Sequence, residues 1–144
     1  MAGGQCLDLE AEKIGLPKKM SVAHIERLQA LKTGALIRFS CEAGAILGNA
    51  RGEERQALRR YGERIGRAFQ IADDLLDVEG EAQTVGKGVR KDAAKATLVS
   101  LIGLEAARQH LEQQHAEALT ALEMFGPRAD ALREAAAFVV LRKS

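Results

Sequence analysis

The sequence predicts an all-α fold, on three observations. Ala, Leu, Glu, Arg and Gln dominate the 144 residues, and these side chains sacrifice little on entering a helix. Aromatic residues make up only 3% and proline occurs twice, at Pro17 and Pro127, so strand formers are scarce and helix breakers few. Apolar residues recur at intervals of three and four rather than two.

Taken in order, Ser21 is placed to cap a helix ending near Asn49. Its apolar stripe reads Val22, Ile25, Leu28, Leu31, Leu36, Phe39, Ala43, Ile46 and Leu47. A second helix starts near Glu53 and carries Leu58, Tyr61, Ile65, Phe69, Ala72 and Leu76, with Gly80 as its expected terminator. A third runs from about Ala93 to Met124 through Leu98, Leu101, Ile102, Leu104, Ala107, Leu111, Ala118 and Leu122. The Phe125-Gly126-Pro127 breaker ends it. A fourth covers roughly Ala129 to Arg142. Gly44 and Gly48, and likewise Gly62 and Gly66, stand four apart, a spacing expected to let helices pack closely.

Composition bounds the function. At 47% hydrophobic and 28% charged residues the chain is an ordinary globular sequence with enough apolar material for a core. Lys and Arg number 21 against 20 Asp and Glu, so a net charge of +1 offers no field for nucleic acid or an anionic membrane. No apolar run approaches the roughly 20 residues of a membrane span, and the first residues form no secretory leader. A cytoplasmic location is therefore expected, with Cys6 and Cys41 as reduced structural thiols. The first residues read instead like the interior of something larger. Four amphipathic helices also leave apolar faces without partners, so self-association or packing against further helices is expected.

The chemistry concentrates between Phe69 and Thr97. Helical pitch puts Gln70, Asp73, Asp74 and Asp77 on one face, at relative positions 0, 3, 4 and 7. Neighbouring carboxylates about 5–6 Å apart repel by ~3 kcal/mol at an effective dielectric near 20, a cost that a divalent cation reverses. Oxygen ligands alone suit Mg²⁺, which binds one or two carboxylates together with substrate phosphates. A solvated acidic helix end is the other reading of this stripe. Ile65, Phe69, Ala72 and Leu76 flank it and are expected to line a cavity, and a basic glycine loop follows, Gly86-Lys87-Gly88-Val89-Arg90-Lys91-Asp92. Carboxylates that hold a metal, followed by lysines that neutralise phosphate, are what a metal-bound diphosphate requires. The loop is no nucleotide P-loop: Gly80 to Gly86-Lys87 is one residue too long and Gly88 stands in place of Ser or Thr.

Other constellations carry less. His110 and His115 are five apart rather than the four of a zinc helix and read as surface residues, while His24 reads as packed or partly exposed. The serines lack a GxSxG elbow. Glu105 to Glu123 reads as a solvated, charged helix face.

Gly4-Gln5 with Asp8, Lys32-Thr33-Gly34, Phe69-Gln70 with Asp73-Asp74-Leu75-Leu76-Asp77, and the GKxxxKDxxKxT loop from Gly86 to Thr97 resemble, in order and interval, the trans-polyprenyl diphosphate synthases. The whole chain, residues 1–144, looks like the carboxyl-terminal half of one such domain, similar to bacterial farnesyl or geranylgeranyl diphosphate synthases. The resemblance implies an isoprenoid-synthase-type helical bundle, homodimeric, that joins an allylic diphosphate to isopentenyl diphosphate with Mg²⁺ as cofactor. It further implies that Asp73, Asp74, Asp77 and Asp8 serve the metal, that Lys32, Lys87 and Lys95 grip diphosphate, and that Thr33 and Gln70, with Lys32, face the reacting carbons. Asp92 would belong to a loop closing over the substrate, where Arg90 replaces a frequent glycine. The family's earlier aspartate motif and its isopentenyl diphosphate residues have no counterpart in this sequence, so the polypeptide alone is expected to show no turnover. A terpene cyclase-like enzyme and a noncatalytic prenyltransferase subunit are the alternatives. The Lys32-Thr33 pair and the basic loop speak against the first, and the intact aspartates against the second.

Overall fold

Every described helix takes its place from one long central helix. The computed structural model describes residues 21–84 and 97–142, and among these there is no strand. Ser21 caps α1 (Val22–Gln29), its hydroxyl accepting the His24 N–H at 3.3 Å. The chain then passes through a π-helical turn, Ala30–Gly34, and continues as α2 (Ala35–Leu47). The single helix expected from Ser21 to Asn49 is therefore one axis with an extra residue inserted, a device that appears mostly where function asks for it. Asn49, at φ 51°, and Ala50 turn the chain into α3 (Gly52–Thr84). Glu54 reaches back to accept the Arg51 N–H at 2.9 Å, half of a capping box.

α3 is longer than the sequence reading allowed, because Gly80 does not end it. A glycine terminates a helix by adopting positive φ, and Gly80 keeps helical geometry instead. The expected third helix is in turn split. Thr97 and Ser100 form a reciprocal capping box at the head of α4 (Leu98–Ile102), and Gly103, at φ 86°, breaks the axis before α5 (Leu104–Ala121). That conformation is open to glycine and costly for other residues. A 3₁₀ segment, Glu123–Ala129, kinks at Gly126 and leads into α6 (Asp130–Leu141). Arg133 ties this corner, donating to the carbonyls of Gly126 at 2.7 Å and Leu122 at 3.1 Å.

α3 packs most extensively on α5 and α2 and also touches α6. The core follows its inner stripe, Tyr61, Ile65, Ala68, Ile71, Ala72 and Leu75, joined by Leu98 and Val99, by Ala107, Leu111, Ala118 and Leu122, and by Ala129 and Ala136. Gln114 is the polar residue in this interior; Arg64 donates to it at 3.3 Å and pairs with Glu117 at 2.9 Å. The segment from Glu105 to Glu123 exposes Glu105, Glu112 and Glu123 and buries the opposite stripe, the expected Ala107, Leu111 and Ala118 together with Gln114. Cys41 is half-buried, and desolvation pushes its thiol pKa up. Cys6 lies outside the described residues.

Two glycines set the α2–α3 distance. A Cβ on Gly62 would sit 2.9 Å from the Arg38 Cα, and one on Gly66 would sit 3.1 Å from the Gly34 Cα. Close packing holds for this pair and fails for Gly44, beside which nothing lies within 4 Å, and for Gly48, which meets only its own helix. On the far side of α2, Leu36, Phe39, Ile46 and Leu47 are exposed, from 49% for Ile46 to 84% for Leu47.

Candidate active site

Gln70, Asp73, Asp74 and Asp77 lie on one side of the last turns of α3, as their spacing requires. Two contacts lay the Lys32–Thr33 segment alongside them. Gln29, just before the π-turn, donates Nε2–H to Asp74 Oδ2 at 3.0 Å, and Gly34, at its end, backs onto Gly66. Since α1 and α3 run antiparallel between these contacts, the π-turn spans the length of α3 that contains Gln70. Lys32 and Thr33 are both half-buried in it. A cleft of about 210 Å³ opens in the same seam, lined by Gln29, Ala30, Gly34, Arg38, Glu63, Gly66 and Arg67.

The aspartates have different surroundings. Asp74 is half-buried and accepts two hydrogen bonds on Oδ2, from Gln29 and from the Leu98 backbone N–H at 3.4 Å. The second donor is one of the N–H groups that the first turn of a helix leaves without a partner inside that helix. Desolvation raises the Asp74 pKa to about 6; the Gln29 and Leu98 hydrogen bonds oppose the rise, and the charges of Asp73 and Asp77 add to it. Asp73 is 56% exposed and receives Arg142 Nη2 on Oδ1 at 3.0 Å. Asp77 is exposed, one turn further on.

The stripe is thus one-sided but not a ready cage. Among the described residues no three acidic, histidine or cysteine side chains converge as metal ligands. Asp73 and Asp74 each have their own donor, Arg142 and Gln29. The flanking residues are also reassigned: Ile65 and Ala72 belong to the core rather than to a cavity wall. His110 faces Glu26 at 3.5 Å; His115 is half-buried with Nε2 enclosed, not the surface residue the sequence implied. His24 is exposed. Asp8, Lys87, Asp92 and Lys95 lie outside the described residues.

Two participants escaped the sequence reading. Gln29 has no motif around it and becomes visible only once α1 lies against α3. Arg142, read from sequence as the end of the last helix, reaches back to Asp73 and to the Phe69 carbonyl at 3.3 Å.

The helical bundle thus sets an aspartate stripe beside a lysine-bearing π-turn. The chain belongs to the polyprenyl synthetase family, whose model matches residues 1–137. It is 37% identical over 144 residues to a farnesyl diphosphate synthase from Micrococcus luteus, covering 99% of this chain and 48% of that relative. It is also 37% identical to a chloroplastic geranylgeranyl pyrophosphate synthase from Arabidopsis thaliana, covering 88% of this chain and 36% of that one. The solved apo structure of an FPP/GFPP synthase from Zymomonas mobilis superposes with a TM-score of 0.83 at 45% identity, over 97% of this chain and 45% of that structure. The chain thus spans half or less of the length of these relatives. Among the described residues no helix is long and apolar enough to cross a membrane.

Proposed function

We propose that residues 1–144 form the carboxyl-terminal part of a single polyprenyl synthetase domain and supply the diphosphate-ionising half of a prenyltransferase that condenses an allylic diphosphate with isopentenyl diphosphate. The observation that carries this reading is the juxtaposition of the Lys32–Thr33 turn with Gln70 and the aspartate stripe through the Gln29–Asp74 and Gly34–Gly66 contacts. The donor set fits Mg²⁺ in the mode of one or two carboxylates completed by phosphate oxygens: the ligand atoms are carboxylate oxygens, Asp77 is exposed, and Arg142 engages only one oxygen of Asp73. Asp73 and Asp77 would hold the ion, with Asp74, steadied by Gln29, behind them and Asp8 assisting. Mg²⁺, when bound, supplies charge neutralisation to the departing diphosphate.

The remaining work falls to the chain. Lys32, with Lys87 and Lys95, grips the diphosphate and stabilises the charge it gains as the carbon–oxygen bond breaks. The Thr33 hydroxyl and Gln70 amide are neutral dipoles suited to face an allylic cation without trapping it as a neutral amine or imidazole would. The polypeptide has no turnover of its own in this reading. The exposed Leu36, Phe39, Ile46 and Leu47 support its packing against further helices or a second copy within a homodimer. A cytoplasmic location completes the proposal and rests on composition alone.

Calorimetric titration of inorganic diphosphate, with and without Mg²⁺, tests it. Magnesium-dependent binding that weakens at least about tenfold in Asp77→Asn is expected, in line with the loss of a metal ligand. Folded protein that binds diphosphate equally with and without Mg²⁺, or not at all, overturns it.

A further inference from the structure

Arg142 is unusually enclosed for an arginine at a helix end. It follows α6 directly, yet its side chain is only 17% exposed, while the Asp73 it pairs with is 56% exposed. Its guanidinium lies over the Phe69 ring, 4.2 Å from the centroid. From there Nη2 donates both to the Phe69 carbonyl, at 3.3 Å, and to Asp73 Oδ1, at 3.0 Å. Phe69 and Asp73 are four apart on α3, so one side chain grips a full turn of the helix immediately beside Gln70 and Asp74. Sequestering a guanidinium in this way is costly unless its charge is answered. Here the answer comes from a ring face and from a carboxylate that solvent could have served.

The grip is also incomplete. Nε is enclosed and has no acceptor, so the guanidinium does not meet Asp73 with the two parallel hydrogen bonds that make an arginine–carboxylate pair strongest. A single prong on Oδ1 restrains the carboxylate and leaves Oδ2 outside the ion pair. Without Arg142, Asp73 would be an exposed side chain, free to rotate and repelled by Asp74 on the adjacent position.

We infer that Arg142 is the positioning residue of Asp73: anchored on Phe69, it holds Oδ1 so that Oδ2 is presented on the same side as Asp77. It thereby ties the docking of α6 to the readiness of the aspartate stripe. The functional consequence rests on the metal–diphosphate reading above; the positioning itself does not, and two measurements separate them. In the metal-free protein, the three-bond couplings of the Asp73 side chain are expected to report a single χ1 rotamer. They are expected to average in Arg142→Gln and to be largely restored in Arg142→Lys, which keeps the charge and stays folded if the glutamine variant does not. An unchanged Asp73 rotamer in folded Arg142→Gln overturns the inference, as does full averaging in Arg142→Lys.

The second measurement is a calorimetric cycle with Mg²⁺ and inorganic diphosphate on wild type, Arg142→Gln, Asp73→Asn and the double variant. Arg142→Gln is expected to weaken binding about tenfold, and to add nothing once Asp73 is asparagine, because its effect passes through that carboxylate. Losses that simply add assign Arg142 a role independent of Asp73 and overturn the inference. Couplings that change as expected in a protein that binds no Mg²⁺–diphosphate uphold the positioning and reject the proposed function instead.

Discussion

The two halves of α3 meet the α1–α2 arm by opposite means. From Gly62 to Gly66 the contact is backbone on backbone, with side chains removed so that Arg38 and Gly34 can approach. From Gln70 to Asp77 it is made by polar atoms, Gln29 on Asp74, while Arg142, at the end of α6, holds Asp73 from the other side. The first half has no freedom left and serves as a fixed fulcrum. The second is held by single hydrogen bonds between partly exposed groups, the kind of contact that a charged ligand can rearrange. A rigid seam beside an adjustable one lets a single helix both position a site and respond to what binds there.

The sharpest way to break this contrast is to fill the fulcrum. Gly62→Val places a branched side chain 2.9 Å from a backbone atom that cannot yield locally; a loss of about 3 kcal/mol is expected from overpacking, read as a lowered urea midpoint. A midpoint equal to that of wild type would mean that the helices part freely.

In the adjustable half, Asp74→Asn tests the cost of a desolvated carboxyl. Because the folded-state pKa lies near 6 rather than 3.8, the folded protein binds the extra proton. The stability this gives is fully present below about pH 4 and is lost as pH rises through about 6. Asparagine can accept the same two hydrogen bonds without a charge. The variant is therefore expected to melt on the order of 4 °C above wild type at pH 7.5, after allowance for partial exposure, with the gap closing toward pH 4. A constant gap across that range would rule out the pH linkage.

Smaller effects sharpen the comparison further. Tyr61, whose pKa is pushed up to about 12 chiefly by burial and then by Cys41, donates to the Leu132 carbonyl at 2.7 Å and ties the rigid half of α3 to α6. Tyr61→Phe is expected to cost about 1 kcal/mol in denaturant unfolding. Gly44→Ala, a glycine with open space around it, is expected to gain about 0.5–1 kcal/mol from helix propensity alone. The same glycine-to-alanine change at Gly66 should give no such gain, since Gly34 stands 3.1 Å away.

Local rules were readable wherever a residue's role depends on its near neighbours. Ser21 is the cap its position implied, and Tyr61, Ile65 and Ala72 are buried at the spacing that predicted them. Gln70, Asp73, Asp74 and Asp77 share a face because pitch demands it, whereas α5 stops at Ala121, short of Gly126-Pro127, which falls inside the following 3₁₀ segment. Gly80 misled because a glycine stops a helix only when something rewards positive φ, and Gly103 was overlooked although it does stop one. The π-turn has a trace in hindsight, Gly34 following Lys32-Thr33 within a helical run, but no periodicity rule counts a single inserted residue.

The sequence by itself determined the helices, their inner faces, the shared side of the carboxylates and, through four spaced motifs, the resemblance to polyprenyl synthases. These follow from interactions within a turn or two of chain. Only the tertiary structure decided that Asp74 loses water and gains Gln29 while Asp73 keeps water and gains Arg142. Their partners lie 45 and 69 residues away, and desolvation depends on what packs across the seam rather than on what precedes or follows in the chain.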